Sequence, residues 1–131
     1  GIVQLKKLDK FNMRRRRNAQ YYNEHLAVKG LITPVTTLGM QHVWHQYVVR
    51  LTEEFPMGRD AFIRYLAAKG VGSAVHYPLP IHRQPLYLKE SGPDPCPVST
   101  RLASTVLSLP VHPSLDTREL SYICDIINRV S

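Results

Sequence analysis

The chain has 131 residues, of which 44% are hydrophobic and 21% are charged. This length and balance fit one globular domain that buries its own core, and they exclude a disordered or collagen-like chain. No apolar segment approaches the ~20 residues of a membrane-spanning helix, and the first ten residues lack a signal-peptide layout. Two cysteines, Cys96 and Cys124, are too few for a disulfide framework, which favours reduced thiols and a cytoplasmic protein.

The net charge of +7 is concentrated near the N-terminus, where seven of the seventeen Lys and Arg residues lie within the first seventeen positions. The run Arg14–Arg17 has the charge needed to contact nucleic-acid phosphates. However, it lies inside a predicted helix, so its side chains spread over more than one turn. No helix-turn-helix or aromatic RNA-binding motif accompanies it. A solvated or interface helix face is the favoured interpretation, and a regulatory, nucleic-acid-binding module is the alternative.

The first predicted element is a long amphipathic helix. Apolar side chains and Arg15 recur at three- and four-residue steps from Leu5 to Leu26, which predicts a helix over residues 2–29. Gly30 is expected to end this helix as its C′ residue.

The other elements follow in chain order. A loop is predicted over 31–43, a strand within 42–51, a helix over 59–69 ended by Gly70, and a β segment over 71–77. After these come one or two helical turns over 81–89, a loop over 91–97, a helix over 98–105, a strand over 106–111 and a C-terminal helix. Three short strands among helices favour a small sheet with helices on one face.

Alternation and helical spacing predict which side chains face the core. In the first strand, one face carries Trp44, Gln46, Val48 and Arg50, and the other carries His45, Tyr47, Val49 and Leu51. The residues expected to face inward from the helices are Phe62, Ile63, Leu66 and Ala67 of the second helix, and Leu120, Ile123, Cys124, Ile127 and Val130 of the last helix. Asp116 and Glu119 have the spacing of a capping box, with Leu115 and Leu120 placed as a hydrophobic staple.

The histidines and cysteines do not form a pattern typical of a metal or nucleophile site. His42 and His45 are three residues apart on a predicted strand or at its entry, so their rings point to opposite faces. No CxxC or HExxH motif occurs, and Cys124 belongs to an apolar helical stripe that favours core packing. The segment Gly72–His82 is different, because it places His and Tyr between small residues and prolines. A ligand-facing edge and ordinary packing are equally compatible with it.

Four segments in order along the chain resemble one family. They are Gly1–Tyr22, His42–Arg50, Gly70–Pro78 with its His76-Tyr77-Pro78 motif, and Leu107–Pro113. Together they resemble the C-terminal part of the DegT/DnrJ/StrS aminotransferases. These pyridoxal-phosphate enzymes aminate keto-sugars that are linked to nucleotides.

The resemblance implies the small C-terminal domain of the aspartate-aminotransferase (fold type I) architecture. That is an α/β (α+β) unit with a long N-terminal helix and a small, mainly antiparallel three-stranded sheet covered by helices on one face. Residues 1–30 would be the connecting helix and residues 31–131 the small domain. No lysine matches the family's Schiff-base segment, so we expect a fragment without the large cofactor domain, inactive alone and without tightly bound pyridoxal phosphate.

The resemblance also implies a chemistry and a site. An amino group would pass, usually from glutamate, to a nucleotide-linked keto-sugar. His76 matches the family's small-domain histidine that faces the active site, and Tyr77 would line the sugar pocket. His45 and His82 are weaker candidates near the same edge. No catalytic residue and no metal ligand is expected in this chain.

The implied partners are the missing large domain and a second subunit in a homodimer. A non-catalytic assembly domain remains an alternative to the enzyme fragment.

Overall fold

The computed structural model describes residues 1–87 and 93–130. In chain order, the described elements are α1 (Ile2–Leu5), α2 (Leu8–His25), β1 (Leu31–Ile32), β2 (Tyr47–Leu51), α3 (Arg59–Ala68), a 3-10 turn (Ile81–Arg83), α4 (Pro97–Thr105), β3 (Val106–Leu109) and α5 (Thr117–Asn128). None of the helices in this part of the chain is long and apolar enough to cross a membrane.

The sheet is three-stranded and antiparallel, in the order β1-β2-β3, with β2 in the centre. Tyr47, Val49 and Leu51 are buried while the residues between them are half-buried, so the predicted alternation is confirmed within β2. It fails before β2, where Trp44 is buried and His45 is exposed. Leu107 and Leu109 of β3 are also buried and pair with the inward side chains of β2. This face of the sheet joins one core with residues of α2, α3 and α5.

The identity of the third strand differs from the prediction. β1 lies in the predicted loop, where Leu31 pairs with Leu51. The predicted β segment 71–77 instead pairs with β3 at one position, Ala74 opposite Ser108. Because Pro78 follows this segment and has no N–H to donate, the ladder cannot continue past it. The segment therefore lies along the β3 edge of the sheet without forming a strand.

The first helix is shorter than predicted. It is interrupted after Leu5, resumes at Leu8 and ends at His25. The backbone groups at the C-terminal end of α2 are hydrogen-bonded by Asn128 of α5. Asn128 donates Nδ2–H to the His25 carbonyl at 2.8 Å and accepts the Ala27 N–H at 3.0 Å. The end of α2 is therefore set by a tertiary contact.

Gly30 has a different role from the predicted helix stop. It lies in the turn that enters β1 with φ +79°, and the backbone of Phe55 passes so close that a Cβ would lie 2.2 Å from its nitrogen. Gly70 does end α3 as predicted. It has φ +75°, and the Val71 N–H donates to the Leu66 carbonyl at 2.9 Å in a Schellman arrangement.

β2, which corresponds to the first predicted strand, begins later than predicted. Trp44 has φ +52°, in the left-handed region, so the extended backbone starts only at Tyr47. The carbonyls of Trp44 and His45 both accept from Arg15 Nη1, at 3.1 Å and 3.2 Å. Residues 42–45 are therefore a loop held by α2.

The C-terminal helix matches its prediction closely. Asp116 Oδ1 accepts the Glu119 N–H at 2.9 Å, and Glu119 Oε2 accepts the Asp116 N–H at 2.8 Å, which completes the capping box. All of the inward residues predicted for this helix are buried, and so are Leu115 and Leu120 of the staple. In α3, Phe62 and Leu66 are buried and Ile63 is half-buried, but Ala67 is exposed, contrary to the prediction.

The remaining boundaries differ by a few residues. The 3-10 turn occupies the start of the predicted helical turns, and α4 begins at Pro97 rather than 98. β3 ends at Leu109, because Pro110 follows. Parts of the predicted turns 81–89 and loop 91–97 lie outside the described residues.

Candidate functional site

Two clefts, each of about 1030 Å³, open on either side of His76. We call the first the helix cleft; it lies between segment 70–74, the end of β3 and the first turns of α5. We call the second the proline cleft; it lies between the segment from His76 to Tyr87 and α4. His76 borders both, so it stands at the point where the two clefts meet.

His76 is exposed, and a side chain from β3 holds its ring. His76 Nδ1 is hydrogen-bonded to Ser108 Oγ at 3.2 Å. The neighbouring Tyr77 is 77% exposed, and its ring meets the His76 ring edge-on with centroids 6.1 Å apart. Both rings are therefore presented at the mouth of the proline cleft.

His82 also lines the proline cleft, but several bonds already hold it. Its Nε2 lies 2.9 Å from a carboxylate oxygen of Asp94 and 3.1 Å from Thr100 Oγ1. Arg83 also binds Asp94, with Nη2 3.1 Å from Oδ2. The cluster of His82, Arg83, Asp94 and Thr100 fastens the 3-10 turn to the start of α4.

The same cluster sets the charge of Asp94. The Thr100 hydroxyl, donating to Oδ2 at 2.6 Å, and the Cys96 N–H hold the pKa of Asp94 well below its usual range, with Arg83 adding to the effect. A carboxylate that accepts several hydrogen bonds stays ionised. Asp94 is therefore an anionic anchor for the wall of the proline cleft.

His45 lies apart from Tyr77 and His82. It is exposed and lines the helix cleft together with Arg15, His112 and Arg118. The structure thus brings His76, Tyr77 and His82 together around one cleft and pairs His76 with His45 at the other. Half of the polar side chains that line the helix cleft are Arg or His, and Glu119, the one carboxylate among its described lining residues, is engaged in the capping box.

Two serines of the helix cleft were missed by sequence reasoning. Ser108 is 7% exposed and bonds His76. Ser73 Oγ is buried and has no hydrogen-bond partner within the described residues. A single serine in a strand or loop carries no periodic signal. The one sequence signal for a buried contact was the position of Ser108, a polar residue between Leu107 and Leu109 in a predicted strand.

The arginine run of α2 is engaged within the domain. Arg14, Arg15 and Arg17 each donate to backbone carbonyls of loops, at Pro113, Trp44 and Leu115 among others, over 3.1–3.4 Å. A guanidinium group that donates to backbone carbonyls has fewer N–H donors left for phosphates. This arrangement favours the structural interpretation of the run.

Within residues 1–87 and 93–130, neither cleft is lined by a lysine that could anchor pyridoxal phosphate. Of the residues that the structure describes around the clefts, none is a lysine. Lys6, Lys7, Lys10, Lys29 and Lys69 are all exposed. Across residues 1–87 and 93–130, no three His, Cys, Asp or Glu side chains gather as metal ligands. The described residues alone therefore do not fit a lysine-bound cofactor.

The fold places the chain in a class of protein, because it is the fold of the corresponding part of solved DegT-type aminotransferases. The chain superposes on Streptomyces venezuelae DesV, solved in complex with a ketimine intermediate, with a TM-score of 0.83 and 32% identity. This match covers 96% of the chain and 33% of DesV.

Within that class, the chain belongs to the DegT/DnrJ/EryC1/StrS aminotransferase family, which it matches over residues 1–128. It is 37% identical over 97% of its length to a dTDP-3-amino-3,6-dideoxy-alpha-D-galactopyranose transaminase of Aneurinibacillus thermoaerophilus. It is 38% identical over 91% of its length to a UDP-N-acetyl-3-dehydro-alpha-D-glucosamine 3-aminotransferase of Acidithiobacillus ferrooxidans. The chain spans about a third of these relatives, 33% and 31% of their lengths.

Proposed function

We propose that this chain is the small C-terminal domain of a pyridoxal-phosphate-dependent aminotransferase that acts on a nucleotide-linked keto-sugar, with glutamate as the amino donor. The observation that carries the proposal is the extent of the family match. Nearly the whole chain aligns with sugar aminotransferases, but it corresponds to only a third of each. In this proposal the cofactor and the lysine that anchors it belong to a separate large domain.

The chain's contribution is one wall of the active site. His76 and Tyr77 are exposed side by side at the junction of the two clefts, where a large domain would face them. The imidazole can donate or accept a hydrogen bond, and the tyrosine offers both a ring and a hydroxyl to a sugar. His45 supplies a second imidazole on the helix-cleft side, and His82 stiffens the opposite wall through Asp94.

Exposed apolar side chains support the proposed partners. On α1 and α2, Ile2, Val3, Leu5 and Leu8 are exposed, and around the proline cleft so are Tyr77, Ile81 and Leu86. Exposed apolar patches of this kind mark surfaces that other protein covers. In the proposal the large domain and the second subunit of a homodimer cover them, and two free cysteines fit a cytoplasmic location.

A chimera tests the role of the chain. The matching third of the Aneurinibacillus enzyme is replaced with residues 1–128, and amino transfer from glutamate to its dTDP-linked sugar is measured. We expect an active chimera in which His76→Ala or Tyr77→Ala lowers the rate about 10- to 100-fold, as expected when a positioning contact is lost. The control is His25→Ala, whose exposed ring stacks on Tyr21 and lines neither cleft. A folded, cofactor-bound chimera without turnover would contradict the proposal.

The coding DNA upstream of the codon for Gly1 gives an independent test. We expect the reading frame to continue in phase through a larger domain with a candidate cofactor lysine. The isolated chain, mixed with pyridoxal phosphate and gel-filtered, is expected to retain none. A stop codon followed by a start signal just before Gly1 would instead favour a free-standing assembly domain.

A further inference from the structure

Apart from the aromatic residues and Cys124, Ser108 and Asn18 are the two buried residues of the described chain with a polar side chain. Ser108 lies in β3 between Leu107 and Leu109, where its carbonyl and N–H face away from β2. A buried hydroxyl is costly unless it is hydrogen-bonded, so its partner reveals what the residue does. That partner is His76.

Ser108 holds the His76 segment by its main chain as well as by its side chain. The Ala74 N–H donates to the Ser108 carbonyl at 3.2 Å, and the Ser108 N–H donates to the Ala74 carbonyl at 2.7 Å. The hydroxyl then bonds Nδ1 of His76, two residues further along, at 3.2 Å. The one sheet residue therefore fixes both the approach of the backbone and the orientation of the ring.

The chemistry of the hydroxyl suits this task. A serine hydroxyl can donate a hydrogen bond to an imidazole nitrogen or accept one from it. Ser108 can therefore hold Nδ1 whichever nitrogen carries the proton. The other ring nitrogen, Nε2, makes no hydrogen bond within the described residues and is left for the clefts that His76 borders.

We infer that Ser108 is a positioning residue for His76: it orients the ring so that Nε2 is directed to ligands at the junction of the two clefts. The inference rests on the proposed function for its place in the reaction. The orientation itself is a property of this chain and can be measured without activity.

Nitrogen NMR of the histidine rings tests the orientation in the 131-residue chain at one pH. In Ser108→Ala we expect the His76 Nδ1 and Nε2 signals to shift, because Nδ1 loses its hydrogen-bond partner and the ring is no longer held in one orientation. His25 and His112 signals should stay unchanged. Ser108→Thr, which keeps the hydroxyl, should restore the original His76 signals. Ser104→Ala is the matched control, because Ser104 Oγ bonds only the Arg101 carbonyl on the exposed face of α4.

If Ser108→Ala does not fold, Ser108→Cys takes its place in the test, because the cysteine side chain has nearly the same shape and only a weak S–H donor. It should shift the His76 signals, whereas Ser108→Thr should not. Unchanged His76 signals in a folded Ala or Cys variant overturn the inference.

Activity of the chimera described above then separates the two proposals. Ser108→Ala should lower kcat by up to about 100-fold with little change in KM, and Ser108→Thr should recover it. Shifted NMR signals with an inactive parent chimera would overturn the proposed function and leave the positioning role standing. If the chimera is active and Ser108→Ala changes neither its kcat nor the His76 signals, the positioning role alone is overturned.

Discussion

Two tyrosines make the same hydrogen bond in different surroundings. The Tyr22 hydroxyl donates to the Pro110 carbonyl at 2.7 Å in the core, and the Tyr122 hydroxyl donates to the Lys69 carbonyl at 3.0 Å at the surface. Burial also raises the pKa of Tyr22, with the neighbouring Cys124 adding to the effect. The Tyr22 hydroxyl therefore remains a donor throughout the neutral range.

Tyr22→Phe leaves the Pro110 carbonyl without its buried donor. We expect the free energy of unfolding to fall by about 1–2 kcal/mol, since a buried acceptor without a partner carries its desolvation cost. Tyr122→Phe should cost almost nothing, because water replaces the lost donor. Urea unfolding of both variants checks this, and equal losses would argue against a role for burial.

The two cysteines also differ by their surroundings. Burial raises the pKa of the Cys124 thiol from its ordinary value of 9.0 to about 12, with Asp125 adding to the shift. The folded chain therefore keeps the Cys124 proton in the range where the unfolded chain has lost it. The stability from this group is complete below pH about 9 and is lost as the pH rises towards about 12.

Alkaline unfolding should reveal this group. We expect the urea midpoint of the wild-type chain to fall between pH 8 and pH 11, and to fall less steeply in Cys124→Ala. The exposed Cys96 is the control, because Cys96→Ala should leave the slope unchanged. Identical slopes in all three proteins would show that Cys124 ionises equally in both states.

At the scale of single elements, the start of α5 depends on its cap. The Asp116 carboxylate satisfies the Glu119 N–H, which no residue of the helix itself can do. We expect Asp116→Ala to lower the free energy of unfolding by about 1 kcal/mol and Asp116→Asn to lose far less. Asp125→Ala, on the exposed face of the same helix, makes the same side-chain change without a cap. Urea unfolding measures all three, and a loss in Asp125→Ala equal to that in Asp116→Ala would contradict the assignment.

Two glycines with the same backbone conformation separate strain from crowding. Gly30 and Gly70 have φ of +79° and +75°, but only at Gly30 would a Cβ meet backbone, that of Phe55. Gly70→Ala should cost about 1–2 kcal/mol for the left-handed conformation alone. Gly30→Ala adds the clash at the entry to β1 and should lose clearly more. Thermal and urea unfolding compare the two variants. Similar losses in the free energy of unfolding would mean that the backbone around Phe55 shifts at little energetic cost.

At the scale of the whole molecule, side chains of α2 fasten it to loops that are distant in sequence. Asn18 is fully buried and donates Nδ2–H to the His112 carbonyl at 2.9 Å, across 94 positions of the chain. These bonds hold α2 against the loop that leads to α5 and so shape the floor of the helix cleft.

Removing the Asn18 bond should weaken the whole fold. We expect Asn18→Ala to lower the free energy of unfolding by about 2 kcal/mol, because the His112 carbonyl loses its donor. The matched control is Gln20→Ala on the exposed side of the same helix, where Gln20 bonds only Glu24 one turn away. Urea unfolding distinguishes them, and an unchanged midpoint in Asn18→Ala would refute this role.

The features that could be predicted depend on residues a few positions apart. The capping box of Asp116 and Glu119, the stop at Gly70 and the buried alternation of β2 all follow from local spacing. The family resemblance likewise comes from short segments read in order, and it is confirmed over residues 1–128. The sequence by itself therefore determined the family, the fold class and most helices.

Tertiary structure decided the features whose partners are remote. β1 has only two residues and becomes a strand because Leu51 lies opposite Leu31, while Asn128 sets the end of α2 from the far end of the chain. The bond between His76 and Ser108 joins residues 32 positions apart. Such contacts leave no periodic trace, because hydrogen bonds across a sheet or between helices depend on distance in space rather than along the chain.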